Sequence, residues 1–189
     1  LILPSNKLMC IDFPEACMNN PTRCLAMTIS EEKIKRVIQL MNETMQKADT
    51  TEWSYTDQSF KFTNAAILHQ IIHRLLFYFT ENHPSKDIFV EFTLKELIIR
   101  ILQAEMQKCY KEKSNELSSC NPIAFVVKYI KENLDSPLSV AELSQKAYMS
   151  ESNFHRVFKN ELGISPIEFI NEERLKKAAR LLQYSSKKI

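Results

Sequence analysis

The sequence predicts a mainly α-helical fold, and three observations carry that prediction. One glycine, Gly163, serves 189 residues, whereas folds of strands and tight turns need many positive-φ positions. From Ser30 onward, apolar residues recur at intervals of three and four, the period of a helix with one buried face. Serine and asparagine N-caps punctuate these stripes, and Asn121-Pro122 and Ser165-Pro166 each place proline at the first helical position. The length suits one or two domains with a real core. Hydrophobic residues at 44% and charged residues at 25% are ordinary globular values.

Residues 1–30 read differently. LIL, LMCIDF and CLAMTI are short apolar runs rich in β-tolerant residues, separated by Pro4-Ser5-Asn6-Lys7 and Asn19-Asn20-Pro21. They are expected to be the last two or three strands of a sheet whose other strands lie elsewhere. The chain opens without methionine and in mid-pattern, so its true start is expected upstream. Leu1-Ile2-Leu3 lacks the charged lead and the long apolar core of a signal peptide. No apolar run approaches the roughly 18 residues of a membrane span, and a cytoplasmic location with no membrane partner is expected.

Three helices follow. Ile34, Val37, Ile38, Met41 and Met45 give the first its stripe. The second, between Thr63 and Thr80, is densely apolar: Ile67, Leu68, Ile71, Ile72, Leu75, Leu76 and Phe79. The third is expected from about Asp87 to Tyr110, carried by Phe89, Leu94, Leu97, Ile98, Ile101 and Leu102. Such stripes are core and partner surface, not a cofactor box. The 50–60 loop holds the lone tryptophan, Trp53. Lys111 to Asn121 (KEKSNELSSCN) is polar, without a stripe, and reads as a linker between residues 1–118 and a second unit, 119–189.

That second unit opens at Asn121-Pro122, with Ile123, Val126, Val127 and Ile130 pointing inward. Ser139 and Glu142 have capping-box spacing, and Val140, Leu143 and Ala147 form the next stripe. Tyr148-Met149 breaks the run, and Ser150 is a good N-cap for another helix. In that helix Phe154, Val157 and Phe158 share one face. Ser152, His155, Arg156 and Lys159 share the opposite one. Gly163 stands where a left-handed C-cap would end it, and Ser165-Pro166-Ile167-Glu168 restarts with a second capping box. In the last helix Ile167, Ile170, Ala178, Leu181 and Leu182 make one stripe that includes Arg174. Arg174 is either a phosphate ligand or a side chain packed along its stem and paired with a carboxylate.

A short helix, a turn, and a helix with an apolar back and a hydrogen-bonding front suit insertion into a DNA major groove. The pattern alone leaves open a three-helix cluster whose polar face is merely solvated. The stretch NPIAFVVKYIKENLDSPLSVAELSQKAYMSESNFHRVFKNELGISPIEFINEERLKKAARLL resembles the AraC/XylS class of bacterial transcription regulators. The matching features are LSVAEL, then MS followed by F-x-R-x-F-K, then L-G-x-S-P, then E-R-L-K-K-A-x-x-L-L. NPTRCLAMTISEEKIKRVIQLM and FVEFTLKELIIRIL are similar, less specifically, to the end of the N-terminal domain of one AraC-type subgroup.

The resemblance implies a homeodomain-like helix-turn-helix joined to a helical region, preceded by the closing strands of a cupin-like barrel. It implies double-stranded DNA as partner, and an N-terminal part that senses a small-molecule effector or forms a homodimer. By residue-for-residue match, Ser152, His155 and Arg156 occupy base-facing positions, with Arg156 the candidate for bidentate contact to guanine. Ser150, Glu151, Asn153 and Lys159 flank them towards phosphate or sugar, although the charge of Glu151 opposes phosphate. Related proteins carry a second helix-turn-helix starting near the position of Ser185 to Ile189. Here the chain stops, so a monomer would read one major groove.

Other chemistries have less support. His69 and His73 have metal-compatible spacing but no third ligand nearby in sequence, and two surface or satisfied histidines are the plainer reading. Cys10, Cys17, Cys24, Cys109 and Cys120 are odd in number and contain no C-x-x-C. No glycine-rich phosphate loop or nucleophile–base pair is legible, so no enzyme activity, metal or cofactor is expected. The net charge is +2, but it is uneven: 11 basic against 8 acidic residues from Ser119 onward, and 14 against 15 before it. The asymmetry agrees with DNA contact by the C-terminal part and could not establish it. Two competing readings stay open. One is a helical dimerisation or partner-binding module with a vestigial DNA-binding half; the other is a cupin-like metalloenzyme.

Overall fold

A computed structural model describes residues 27–55 and 66–184, together with 14, 17–19 and 21. Among the described residues the elements are helical: α1 (Glu31–Thr44), α2 (Ala66–Thr80), α3 (Lys86–Leu117), α4 (Pro122–Glu132), α5 (Val140–Lys146), α6 (Glu151–Leu162) and α7 (Pro166–Tyr184). Most of residues 1–30, where closing strands are expected, and the tail 185–189 lie outside the described residues.

The long helix α3 is the spine, because each of its faces serves a different core. Leu97 meets Leu68, Ile71 and Leu75 of α2. Ile98 and Leu102 meet Val37 and Met41 of α1 together with Trp53. Tyr110 enters the largest core, with Ile123, Val126, Val127, Ile130, Leu143, Phe154, Phe158 and Phe169. Each fully buried aliphatic or aromatic side chain there stabilises the fold by about 1.5–3 kcal/mol relative to exposure. The densely apolar α2 buries one stripe, leaving Phe77 and Phe79 exposed.

The polar stretch from Lys111 is not a coil. It stays helical to Leu117, with one departure at Lys113 (φ −111°, ψ 17°), because its few inward positions are occupied. Ser114 is buried, and Lys111 lies 4.9 Å from the Phe169 ring centre and 3.2 Å from Glu173. Only Ser118–Cys120 turns the chain before Asn121 caps α4 by accepting from the Ala124 N–H at 2.9 Å.

The segment after α1 is stapled back onto it. Asn42 Oδ1 accepts from the Trp53 N–H at 2.6 Å, and the Trp53 indole N–H donates to the Met45 carbonyl at 2.6 Å. Lys47 covers the Trp53 ring and donates to the Glu52 carbonyl. The folded-back segment presents the Ala48 N–H to Oε1 of Glu161 in α6 at 2.6 Å. The Tyr110 hydroxyl donates to the other oxygen of Glu161 and accepts from Asn121 Nδ2 at 2.9 Å. Asn121 also donates to Asp49. Glu161 is fully buried, and burial pushes its carboxyl above the ordinary range despite these donors. Burial, then the neighbouring Glu161, pushes the Tyr110 phenol up in turn.

Two expectations for α7 are corrected. Phe169 and Ile170 are buried, but Ile167 at the start of α7 and Ala178, Leu181 and Leu182 in its second half are exposed. Arg174 is exposed and pairs with no carboxylate among the described residues. Its guanidinium donates to the carbonyls of Leu134 (3.0 Å) and Ser136 (2.8 Å), closing the α4–α5 loop onto α7.

Two measurements check this packing. Tyr110→Phe removes a hydrogen bond to a buried carboxylate, so we expect a loss of about 1.5–3 kcal/mol, seen as a melting temperature lower by roughly 3–10 °C. An unchanged melt would show that Glu161 does not depend on Tyr110. Glu105 on α3 has an oxygen, Oε1, with no partner among the described residues, and burial raises its carboxyl from 4.5 to about 7. The folded state therefore holds this proton more tightly than the unfolded chain, and stability falls as pH rises from about 4.5 through about 7. Glu105→Gln is expected to raise the melting temperature at pH 8, to change it little at pH 5, and to flatten the slope between. Equal effects at both pH values would contradict this.

Candidate nucleic-acid interface

The helix-turn-helix is formed by α5, the four residues 147–150 and α6. Its first helix begins with half of the expected capping box. Ser139 Oγ accepts from the Glu142 N–H at 3.1 Å, but the Glu142 carboxylate accepts from the Tyr129 hydroxyl at 2.6 Å instead of reaching back. Lys146 lies over the other part of that story, 3.9 Å from the Tyr129 ring centre, so α4 and α5 are tied by an acid, a phenol and a cation.

The turn is a Schellman motif. The Met149 N–H donates to the Ser144 carbonyl, and the Tyr148 N–H to that of Gln145, both at 3.0 Å. The motif places Tyr148 in the left-handed region at φ 56°, a position that glycine usually fills. A side chain with a Cβ costs about 1–2 kcal/mol there. Met149 packs back on the core, whereas Tyr148 is 97% exposed. Ser150 then caps α6, its Oγ accepting from the Asn153 N–H at 3.4 Å. The hydroxyl is thus engaged as a cap.

Along α6 the two faces separate as the sequence predicts. Phe154 and Phe158 are fully buried and Val157 nearly so. The Phe154 and Phe158 rings lie 5.5 Å apart, and Phe169 meets Phe158 edge-on at 5.7 Å. Glu151, Ser152, His155, Arg156 and Lys159 are exposed, and Asn153 is half-buried at the boundary. Arg156 is not a loose chain: its guanidinium donates to Asn153 Oδ1 at 2.8 Å, one turn towards the N-terminus. That bond uses one edge of the fork and leaves other donors free for a planar acceptor pair.

The C-terminal end of α6 is fixed from two sides. Gly163 adopts φ 74°, and its N–H closes on Lys159. A Cβ at Gly163 would come within 2.8 Å of the Gln103 side chain, which itself donates to the Asn160 carbonyl at 2.8 Å. The left-handed conformation favours glycine here, and a side chain would also have to displace Gln103. The α7 capping box is complete: Ser165 N–H to Glu168 at 2.7 Å, and Glu168 N–H to Ser165 Oγ at 3.3 Å. These bonds, aided by the positive charge of Lys159, hold the Glu168 carboxyl below its ordinary range. An acidic group thus borders the basic end of the exposed face.

His69 and His73 are both exposed on α2, and no group of three or more potential metal ligands occurs among the described residues. No described helix is long and apolar enough to cross a membrane. The burial of Glu161 is not legible in the sequence, because its residue type suggests solvent although it falls on the buried face. Spacing marks Tyr148 only as a break in pattern, not as a left-handed residue. A four-residue link between two helices, A-Y-M-S, that holds no glycine for the left-handed position was the available signal.

A capped recognition-type helix, apolar behind and polar in front, defines the helix-turn-helix class. The chain matches the AraC-type transcriptional regulator N-terminus over residues 1–109 and the bacterial regulatory helix-turn-helix proteins of the AraC family over 130–171. It belongs to the AraC-type transcriptional regulator family. Among its relatives is "Probable transcriptional regulator LumQ" of Photobacterium leiognathi, 39% identical over 29% of this chain and 22% of that protein. Another is the uncharacterized HTH-type transcriptional regulator YfiF of Bacillus subtilis, 30% identical over 46% and 28% respectively. A third is the transcriptional regulatory protein HptR of Staphylococcus aureus, 25% identical over 68% and 52%. The matched part of this chain therefore spans at most about half the length of these relatives. No solved structure matches it.

Proposed function

We propose that the chain is a sequence-specific, DNA-binding transcription regulator, not an enzyme, and that α6 enters the major groove. The observation that carries this reading is the division of α6: its back is completely buried, while Ser152, His155, Arg156 and Lys159 stand exposed together. Arg156 is the base reader, held by Asn153 in a pose that keeps donors for guanine O6 and N7. Ser152 and His155 face neighbouring bases. Lys159, Asn153 and the start of α6 at Ser150 and Glu151 lie towards the sugar–phosphate backbone. Arg174, held by two carbonyls of the α4–α5 loop, has no place in this interface.

In the same reading residues 119–189 are the DNA-binding unit. Residues 1–118 are a regulatory unit, with cupin-like closing strands in residues 1–30 and an effector or a second copy as its ligand. The exposed Phe77, Ile88 and Phe92 on α2 and α3 support self-association. Sedimentation of the whole chain tests that part, and a strict monomer at high micromolar concentration would remove it.

The interface is tested by substitution. Arg156→Ala should weaken binding to a selected duplex by about 1–3 kcal/mol and relax preference at one base pair. Lys159→Ala should weaken all sequences alike and lower the dependence of affinity on salt by about one ion. Equal losses from Arg156→Ala on selected and scrambled duplexes would contradict the assignment.

A further inference from the structure

Tyr148 presents an unusual combination. It occupies the left-handed position of the Schellman turn between α5 and α6, where glycine would be accommodated without strain. Its side chain is 97% exposed, and its hydroxyl has no hydrogen-bond partner among the described residues. The ring therefore returns nothing to the fold that could offset the strained backbone. Strain kept without an internal partner points to a use outside the molecule. The position of the turn narrows that use. Tyr148 lies two residues before the Ser150 cap, at the end of α6 that points towards base edges in this class of docking. The preceding helix in such docking crosses the sugar–phosphate backbone, so a side chain projecting from the turn meets the strand at the groove edge.

We propose that Tyr148 is a DNA-contacting residue whose phenol donates to a backbone phosphate beside the groove that α6 enters. The inference rests on the α6 reading above. A neutral donor makes the contact sequence-independent, and it displaces no counterion of its own. Tyr148 would then fix the register of α6, leaving discrimination among bases to Arg156.

The test uses the whole chain and two duplexes of about 30 base pairs, one enriched by the wild type from a random pool and one scrambled. The variants are Tyr148→Gly and Tyr148→Phe, with Arg156→Ala as reference. Both Tyr148 variants should bind each duplex about three- to tenfold more weakly, as expected for one lost hydrogen bond, with the salt dependence of the wild type. Tyr148→Gly should also melt at a higher temperature than the wild type, so its weaker binding could not be ascribed to misfolding. Wild-type affinity in either variant, or a loss confined to the enriched duplex, would overturn the proposal. If Arg156→Ala loses its preference while the Tyr148 variants bind normally, only the tyrosine contact fails. If the wild type enriches no duplex, the α6 reading fails, and the contact with it.

Discussion

The arrangement depends on how α6 buries a carboxylate. Glu161 lies on the apolar back of that helix with no exposure, where an unsatisfied charge would be far too costly to keep. It is kept because two donors converge on it from distant parts of the chain: the Ala48 N–H, 113 residues away, and the Tyr110 hydroxyl, 51 residues away. Asn121 then links Tyr110 to Asp49, so one network joins the loop after α1, the end of α3, the cap of α4 and the back of α6. The front of α6 can remain bare because its back is specified so completely. Shifting the 47–53 segment would leave Glu161 one donor short, and shifting α3 would leave it with the other missing.

Helix α3 imposes a second constraint. A helix of 32 residues carries side chains into all three cores, and its last turns hold Lys111 against Phe169, Glu172 and Glu173 of α7. Gln103 reaches the carbonyl of Asn160 and fills the space that a side chain at Gly163 would need. The end of α6 is therefore positioned by α3 as well as by its own turn. Within the helix-turn-helix, rigid packing behind and solvent in front are two sides of the same construction. Of the two non-glycine residues with positive φ among the described residues, Thr50 and Tyr148, the one within the helix-turn-helix is Tyr148, in its turn.

Much of this was legible in the sequence, and the reason is local. The stripes of α4 to α6, the caps at Asn121, Ser139 and Ser150, and the left-handed Gly163 are all set by residues within a few positions of one another, so spacing reveals them. What spacing could not show depends on partners far away in the chain. The burial of Glu161 needs Ala48 and Tyr110. The helicity of the polar 111–117 stretch needs Phe169 and Glu173 to receive Lys111. Arg174 illustrates the same limit: its position in the stripe was readable, but its carbonyl partners at Leu134 and Ser136 belong to a loop 38 and 40 residues away. In α7 the periodic pattern continues through Leu181 and Leu182 although the described structure covers neither. Periodicity reports a face suited to burial, not what buries it.

Of the polar face on α6, the sequence supplied the residue set, and the structure adds the Asn153–Arg156 bond that gives the arginine a direction. The most direct measurement replaces single guanines in a duplex selected by the chain with 7-deazaguanine, which removes the N7 acceptor from the major groove and leaves base pairing intact. Binding by the wild type should fall at one guanine, and Arg156→Ala should suffer no further loss from the same replacement. Indifference of the wild type to the replacement at every guanine would contradict the account.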